Sequence, residues 1–301
     1  MKKLFAIALS AAVALSLAAC GSGGSSASSA PAVSTPASSS AASTSTAGGE
    51  NIVLKVGASP APHAEILEQA ATLLEAEGIT LDIVEFDDYV MPNTALAEGS
   101  LDANYFQHQP YLTNFNAEQG TDLVSAGAIH YEPLGVYAGK SSDLSNVPDG
   151  AQIGIPADAT NGGRALLLLQ DQGVLTLEEG IDLDYFRNAE DISFSEYDGI
   201  AENPHNVEIV AMEAANLPAS LPDLDFAVIN GNYAIPAGIA DQLLASEDAA
   251  GEAAQVFANV IAVRSGDEER PEIQKLVEVL KSDEMKQWIT DKYQGSVLPV
   301  E

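Results

Sequence analysis

The chain has 301 residues, with 12 Lys and Arg against 44 Asp and Glu, a formal net charge of −32. Nucleic-acid binding needs Lys and Arg to neutralise phosphates, so this balance argues against that class. A single cysteine, Cys20, leaves no intrachain disulfide, and stability must come from packing.

In chain order, Lys2 and Lys3 precede an apolar run from Leu4 to Ala19, which ends Leu17-Ala18-Ala19-Cys20. A basic start, a short apolar run and small residues before the break mark a secretory signal over residues 1–19. The run is short for a membrane span, which takes about 20 residues. Its small-small-Cys ending resembles the bacterial lipobox. That resemblance implies cleavage before Cys20 and a diacylglyceryl thioether on its sulfur. Residues 20–50 then form the lipidated cysteine and a tether, because Gly21 to Gly49 is almost wholly Ser, Ala, Gly, Thr and Pro, without charge or aromatic. Such a segment buries too little apolar surface to offset its chain entropy and should be disordered, spanning about 30 Å.

The body from Asn51 onward is long enough for one large domain or two ordinary ones. Val53 to Gly57 reads as a strand, and Ala58-Ser59-Pro60-Ala61-Pro62 as a breaker that opens a helix. Ile66, Leu67, Ala70, Leu73 and Leu74 recur at helical spacing, with Gly78 as the stop. Leu81 to Phe86 alternates as a strand, so this unit predicts a parallel pair with a crossover helix. A short helix over 92–99, a strand over 101–106 and a helix over 110–119 follow. Residues 123–138 hold extended pieces around Glu132-Pro133. Gln152 to Pro156 starts a second strand-then-helix unit, with its helix over 164–173. Further strands are expected at 226–229 and 256–263, and one amphipathic helix at 272–292. Two separate starts, near 53 and near 152, predict an α/β protein with two lobes.

Catalytic signatures are missing: there is no G-x-S-x-G, no P-loop and no H-E-x-x-H, and Gly57 opens no dinucleotide fingerprint. No enzyme activity and no cofactor are expected. The histidines His63, His108, His130 and His205 lack close ligand spacing, so no metal site is expected, and His205 reads as a turn residue.

Three segments carry possible binding chemistry. Tyr89, Phe106, His108 and Tyr111 fall at or after predicted strand ends, where open α/β sheets bind ligands. Aromatic rings with polar tips suit a pocket for an apolar group, although Phe106 and Tyr111 also read as core. Pro156 to Arg164 opens a helix after a strand. Free N–H groups there favour an anion, and Arg164 reads either as its anchor or as a salt-bridge partner for one of the acids. Asn230 follows a buried strand and offers a donor and an acceptor, or merely turns the chain before Gly231.

Together these blocks resemble the NlpA/MetQ family of methionine-binding lipoproteins. The resemblance rests on FDDYVMPN, LDANYFQHQPYL, Asn161 to Arg164, ENP at 202–204 and AVINGNYA at 227–234, and runs from Val53 to the C-terminus. It implies a two-lobed, Venus-flytrap fold of the type II periplasmic-binding class, with residues 51–135 plus about 262–301 in one lobe and 136–261 in the other. It implies an extracytoplasmic receptor, held at the cell membrane through Cys20, that passes methionine to the permease of an ABC importer. Carried onto this chain, Tyr89, Phe106, His108 and Tyr111 would surround the thioether, Arg164 would hold the carboxylate, and Asn161 and Asn230 would fix the amino and carboxylate groups. A methionine-containing dipeptide, another amino acid, or a metal held by His63, His108 and His130 are the alternative ligands. His130 and Glu132 receive no role.

Overall fold

The computed structural model describes residues 51–188 and 199–300, so the signal run, Cys20 and the tether expected over residues 1–50 lie outside the described residues. Among the described residues, no helix is long and apolar enough to cross a membrane.

β1 (Ile52–Ala58) lies between two parallel neighbours, β2 (Ile79–Glu85) and β3 (Ala103–His108). The crossover from β1 to β2 is α1 (Glu65–Ala76), whose Ile66, Leu67, Ala70 and Leu74 are fully buried at the expected helical spacing. The helix ends at Gly78, whose φ of +79° suits a residue without a side chain. α2 (Met91–Ala97) and α3 (Gln109–Gln119) flank β3 in sequence, and β4 (Leu123–Tyr131) follows.

The extended stretch over 123–138 is split between sheets. After β4 the chain crosses at residues 132–134 and enters a second sheet with β5 (Gly135–Ala138). There it forms β6 (Gln152–Pro156) and α4 (Ala159–Asp171), and a ribbon of β7 (Thr176–Leu177) and β8 (Ile200–Glu202) that flanks α5 (Leu183–Asn188) in sequence. β9 (Glu208–Met212), α6 (Leu217–Ser220), β10 (Phe226–Ile229), α7 (Gly231–Ala237) and β11 (Leu243–Ser246) complete that part. The return passes through α8 (Ala253–Val256) to β12 (Asn259–Arg264), then α9 (Pro271–Leu280), α10 (Asp283–Tyr293) and β13 (Leu298–Pro299).

The first sheet has the order β13-β4-β12-β3-β1-β2, and the second β11-β5-β10-β6-β9. β12 runs antiparallel between β3 and β4, and β10 lies parallel to β6 but antiparallel to β5. Each sheet has its own core. Leu54, Val56, Ile66, Leu74, Ile273 and Leu276 pack in the first, and Val136, Ile153, Leu166, Leu169 and Phe226 in the second. All four residues of β10 are inaccessible to solvent, and each of its large apolar side chains contributes roughly 1.5–3 kcal/mol of transfer free energy.

Two helices differ from the sequence expectation. The helix expected over 272–292 is broken, because Ser282 leaves helical geometry and its hydroxyl accepts the Met285 N–H at 3.3 Å, capping α10. The apolar face nevertheless continues through both halves, with Ile273, Leu276, Leu280, Met285 and Ile289 all buried. The helix expected over 164–173 begins earlier, at Ala159, because Asp158 caps it. The expected strand at 256–263 starts at Asn259, after α8.

Candidate functional site

Three short connections aim side chains into the space between the two sheets. Tyr89 precedes α2, Phe106 and His108 end β3, and Tyr111 stands in the first turn of α3. From the second sheet come Asn161 and Arg164 on α4 and Asn230 between β10 and α7. All seven line one pocket, joined by Gln107, Glu132, Gly231, Asn232 and Asn259. It encloses about 340 Å³ of space not filled by atoms, part of it open to solvent.

One wall is aromatic. The Tyr89, Phe106 and Tyr111 rings stand 5.7–6.0 Å apart in tilted and edge-on arrangements, and Tyr233 lies 5.2 Å from Tyr89. The Tyr111 hydroxyl donates to the Tyr89 carbonyl at 3.0 Å and fixes the two rings together. Phe106 and Tyr111 are both pocket and core: Phe106 is 3 % exposed, and Tyr111 packs on the cluster of Leu96, Leu112 and Phe115. Burial raises the hydroxyl pKa of Tyr89 and Tyr111, so both remain neutral.

A polar chain starts at the α4 N-terminus. Asp158 accepts the Asn161 N–H at 2.8 Å and the Thr160 hydroxyl at 2.8 Å. Its carboxylate also accepts both contacts of Asn161 Nδ2, at 3.0 and 3.2 Å, which turns Asn161 Oδ1 outward as an acceptor. That oxygen takes bonds from His108 Nε2 at 3.1 Å and Asn230 Nδ2 at 2.8 Å. His108 Nδ1 accepts the Tyr111 N–H at 3.2 Å, so the proton sits on Nε2. Burial, helped by the Arg164 charge, lowers the His108 pKa to about 3 and keeps the ring neutral. With its amide so oriented, Asn230 Oδ1 is left without a partner.

This geometry corrects the anion site expected at the helix start. The Asp158 side chain, itself an anion, occupies the N-terminus of α4. Gly162 lies inside the helix, where an added Cβ would stand 2.8 Å from the Pro156 carbonyl oxygen. Arg164 is therefore in the second turn, reaching the pocket from the side.

Arg164 is 2 % exposed and is paired. Its Nε and Nη2 donate to the two Glu247 carboxylate oxygens at 2.8 and 2.6 Å, and Nη2 also donates to the Glu132 carbonyl at 2.8 Å. Burial opposes the guanidinium charge, but Glu247 outweighs it and holds the Arg164 pKa above its ordinary value. Glu247 further accepts the Tyr131 hydroxyl at 2.6 Å and the Leu134 N–H at 2.8 Å. The salt bridge thus ties α4 to both segments that cross between the sheets. The guanidinium stacks 4.4 Å from the centre of the Phe257 ring.

At the floor, His63, His130 and Glu132 place two ring nitrogens and a carboxylate oxygen within 4.8 Å of one another. Hydrogen bonds account for the arrangement. His130 Nε2 meets Glu132 Oε1 at 2.8 Å, with Nδ1 facing the Tyr105 hydroxyl. His63 Nε2 meets Asn259 Oδ1 at 3.1 Å and Glu132 Oε1 at 3.4 Å, with Nδ1 facing the Ser59 hydroxyl at 3.0 Å. Burial lowers the pKa of His63 to about 4 and of His130 to about 3, so both rings are neutral. Burial raises the Glu132 pKa, against the pull of His63, Arg164 and the Asn232 amide. His108, the third histidine of the metal alternative, bonds to Asn161 instead.

Sequence reasoning did not assign Glu132 or Glu247, and each lacks a local signal. Glu132 merely precedes a proline, and Glu247 is one of 44 acids. Gln107, Gly231 and Asn232 stood inside recognised blocks without a stated role. His205 lies in a turn, half-buried, with its carbonyl accepting the Gly150 N–H at 2.9 Å.

Comparison with known proteins gives a consistent result. The NlpA lipoprotein family profile matches residues 54–301. The methionine-binding lipoprotein MetQ of Bacillus subtilis (strain 168) is 38% identical over 307 residues, covering 100% of this chain and 99% of that protein. A crystal structure from Ruminococcus gnavus ATCC 29149, described as a lipoprotein, is 48% identical with a TM-score of 0.77, covering 83% of this chain and 99% of that one. A nutrient binding protein from Burkholderia cenocepacia, bound to methionine, is 39% identical with a TM-score of 0.74, covering 82% of this chain and 100% of that one.

Proposed function

Because this chain belongs to the NlpA lipoprotein family, we propose that it is a solute-binding receptor that captures methionine outside the cytoplasmic membrane and delivers it to an ABC importer. The observation that carries this reading is the convergence of Tyr89, Phe106, His108, Tyr111, Asn161, Arg164 and Asn230 on one pocket between two α/β lobes. The aromatic wall suits a thioether, since sulfur–ring contacts are each worth roughly 0.3–1.5 kcal/mol. The polar side suits the amino and carboxylate groups, with Arg164 Nη1 as the guanidinium nitrogen not engaged by Glu247 or Glu132.

The receptor binds and releases its ligand without transforming it. Its lobes are built on the first sheet, from residues 52–131 and 259–299, and on the second, from residues 135–246, so the boundaries fall a few residues before the expected 135 and 261, and the lobes open about the two crossing segments. Closure follows binding only because the ligand is held better by the closed form. A lipid on Cys20 tethers the body to the membrane, and the permease of the importer is the partner that receives the closed form. Replacing Cys20 by Ala should release the protein into the soluble fraction; continued membrane association would reject the anchor.

Native mass spectrometry of the purified protein tests the ligand. A bound mass equal to methionine, lost on denaturation and refolding and restored by added L-methionine, is the expected result. A different bound mass would move the ligand to another amino acid or a dipeptide, and no response to methionine would reject the reading.

A further inference from the structure

We infer that Glu132 is the counter-ion for the ligand's ammonium group, and that the pocket is built for a free α-amino acid rather than an N-acylated or peptide-linked one. This rests on the receptor reading above and goes further by naming the group recognised.

Glu132 is 6 % exposed and lines the pocket. Its two carboxylate oxygens have different surroundings. Oε1 faces the Nε2 atoms of His130 and His63, at 2.8 and 3.4 Å. Hydroxyl partners at both Nδ1 atoms are free to donate, which leaves the ring protons on Nε2 and points them at Oε1 and Asn259. Oε2 is buried and has no side-chain partner, with the Asn232 backbone N–H drawn to the carboxylate. Asn230 Oδ1, lining the same pocket, is likewise buried without a side-chain partner. Two such acceptors in one pocket match an ammonium, which carries three donors and no acceptor.

The charge inventory agrees. Arg164 is balanced by Glu247, and the surrounding histidines are neutral. Asp158 is satisfied by Thr160 and Asn161. Glu132 is thus the carboxylate of this pocket whose second oxygen has no cationic partner in direct contact.

Spacing sets the ligand class. Arg164 Nη2 is bonded to the backbone carbonyl of Glu132 itself, at 2.8 Å, so the ammonium acceptor and the carboxylate anchor belong to neighbouring groups. An α-amino acid carries both charges on one carbon. An added residue separates them by a further Cα–Cα step of about 3.8 Å, and an acyl group removes the positive charge. Gly231 keeps the acceptor in place, since a Cβ there would stand 2.5 Å from Glu132 Oε2. His63 and His130 are positioning residues that hold Oε1.

Calorimetry with four ligands tests this: L-methionine, its des-amino analogue 4-(methylthio)butanoate, N-acetyl-L-methionine and glycyl-L-methionine. The wild-type protein should bind the last three at least a hundredfold more weakly than methionine. In Glu132→Gln the gap between methionine and the des-amino analogue should shrink below tenfold. An unchanged gap in that variant would overturn the role of Glu132 while leaving the receptor reading intact. Glycyl-L-methionine binding as tightly as methionine would overturn the free-amino-acid class. If the variant fails to fold, the wild-type series still decides, because a des-amino analogue bound as tightly as methionine overturns the inference. Wild-type protein that binds none of the four would overturn the receptor reading and this inference together.

Discussion

The hydroxyl of Tyr89, from the first sheet's side of the cleft, donates to Asn232 Oδ1 on α7 of the second at 2.6 Å. The residues are 143 positions apart, and the bond joins the two sides together with the Tyr233 hydroxyl, which donates to the Asp87 carbonyl at 3.0 Å. The described conformation therefore has its lobes latched across the ligand site.

Tyr89→Phe keeps the ring in the aromatic wall and removes the latch. A neutral hydrogen bond contributes about 0.5–1.5 kcal/mol net, so methionine should bind roughly three- to tenfold more weakly, mainly through faster release. Stopped-flow ligand displacement would measure this, and an unchanged release rate would reject the latch.

Arg164→Ala should fail in two ways. It removes the proposed carboxylate anchor and leaves Glu247, whose side chain is 9 % exposed, without its cation. Breaking a buried pair costs about 3–5 kcal/mol, which in a protein of this size is on the order of 10 °C in Tm. Calorimetry should show at least a hundredfold loss of methionine affinity. A variant with normal Tm and weak binding would separate the anchor from the structural tie, and one with normal affinity would remove Arg164 from the site.

Gly231→Ala places a methyl group 2.5 Å from Glu132 Oε2 and 3.1 Å from its Cβ. The backbone there does not require glycine's left-handed freedom, so the effect should fall on the pocket. Affinity should drop by at least tenfold with a Tm change of only a few degrees. Unaltered binding would mean that Glu132 yields without consequence.

Stability should fall as pH drops from 6.5 toward 4. His63, His108 and His130 have native pKa values of about 4, 3 and 3, against 6.5 when exposed, so the unfolded chain takes up protons that the native state refuses. Glu132 and Asp158 are shifted upward by burial and act in the opposite direction, because the native state holds their protons to higher pH. The carboxylates offset part of the histidine effect, and the net slope keeps the sign of the histidines. Scanning calorimetry should find a lower Tm at pH 5 than at pH 7.5, and equal values would contradict the neutral burial of the histidines.

Much of the site was legible because its residues sit in short local patterns. Tyr89, His108 and Asn230 each lie at or after a strand end, and the topology of an α/β sheet brings such ends to one side. Arg164 was recognisable as an anion partner, but its neighbour was not. Glu247 lies 83 residues away, and nothing in the sequence around it distinguishes it from other acids. The helix start was misplaced for a local reason: Gly162 and Gly163 read as a turn, whereas the Asp158 cap outweighs the small helix penalty of two glycines.

The sequence by itself determined the alternation of strand and helix, the two starts near residues 53 and 152, the apolar faces of α1, α9 and α10, and seven of the side chains that meet in the pocket. These follow from period and turn chemistry, which act over a few residues. Only the tertiary structure decided which sheet each extended piece joins, how Arg164 is neutralised, and which Glu132 oxygen is left without a side-chain partner. Those outcomes depend on hydrogen bonds between groups far apart in the chain, and on burial that raises the energy of any polar atom left without a partner.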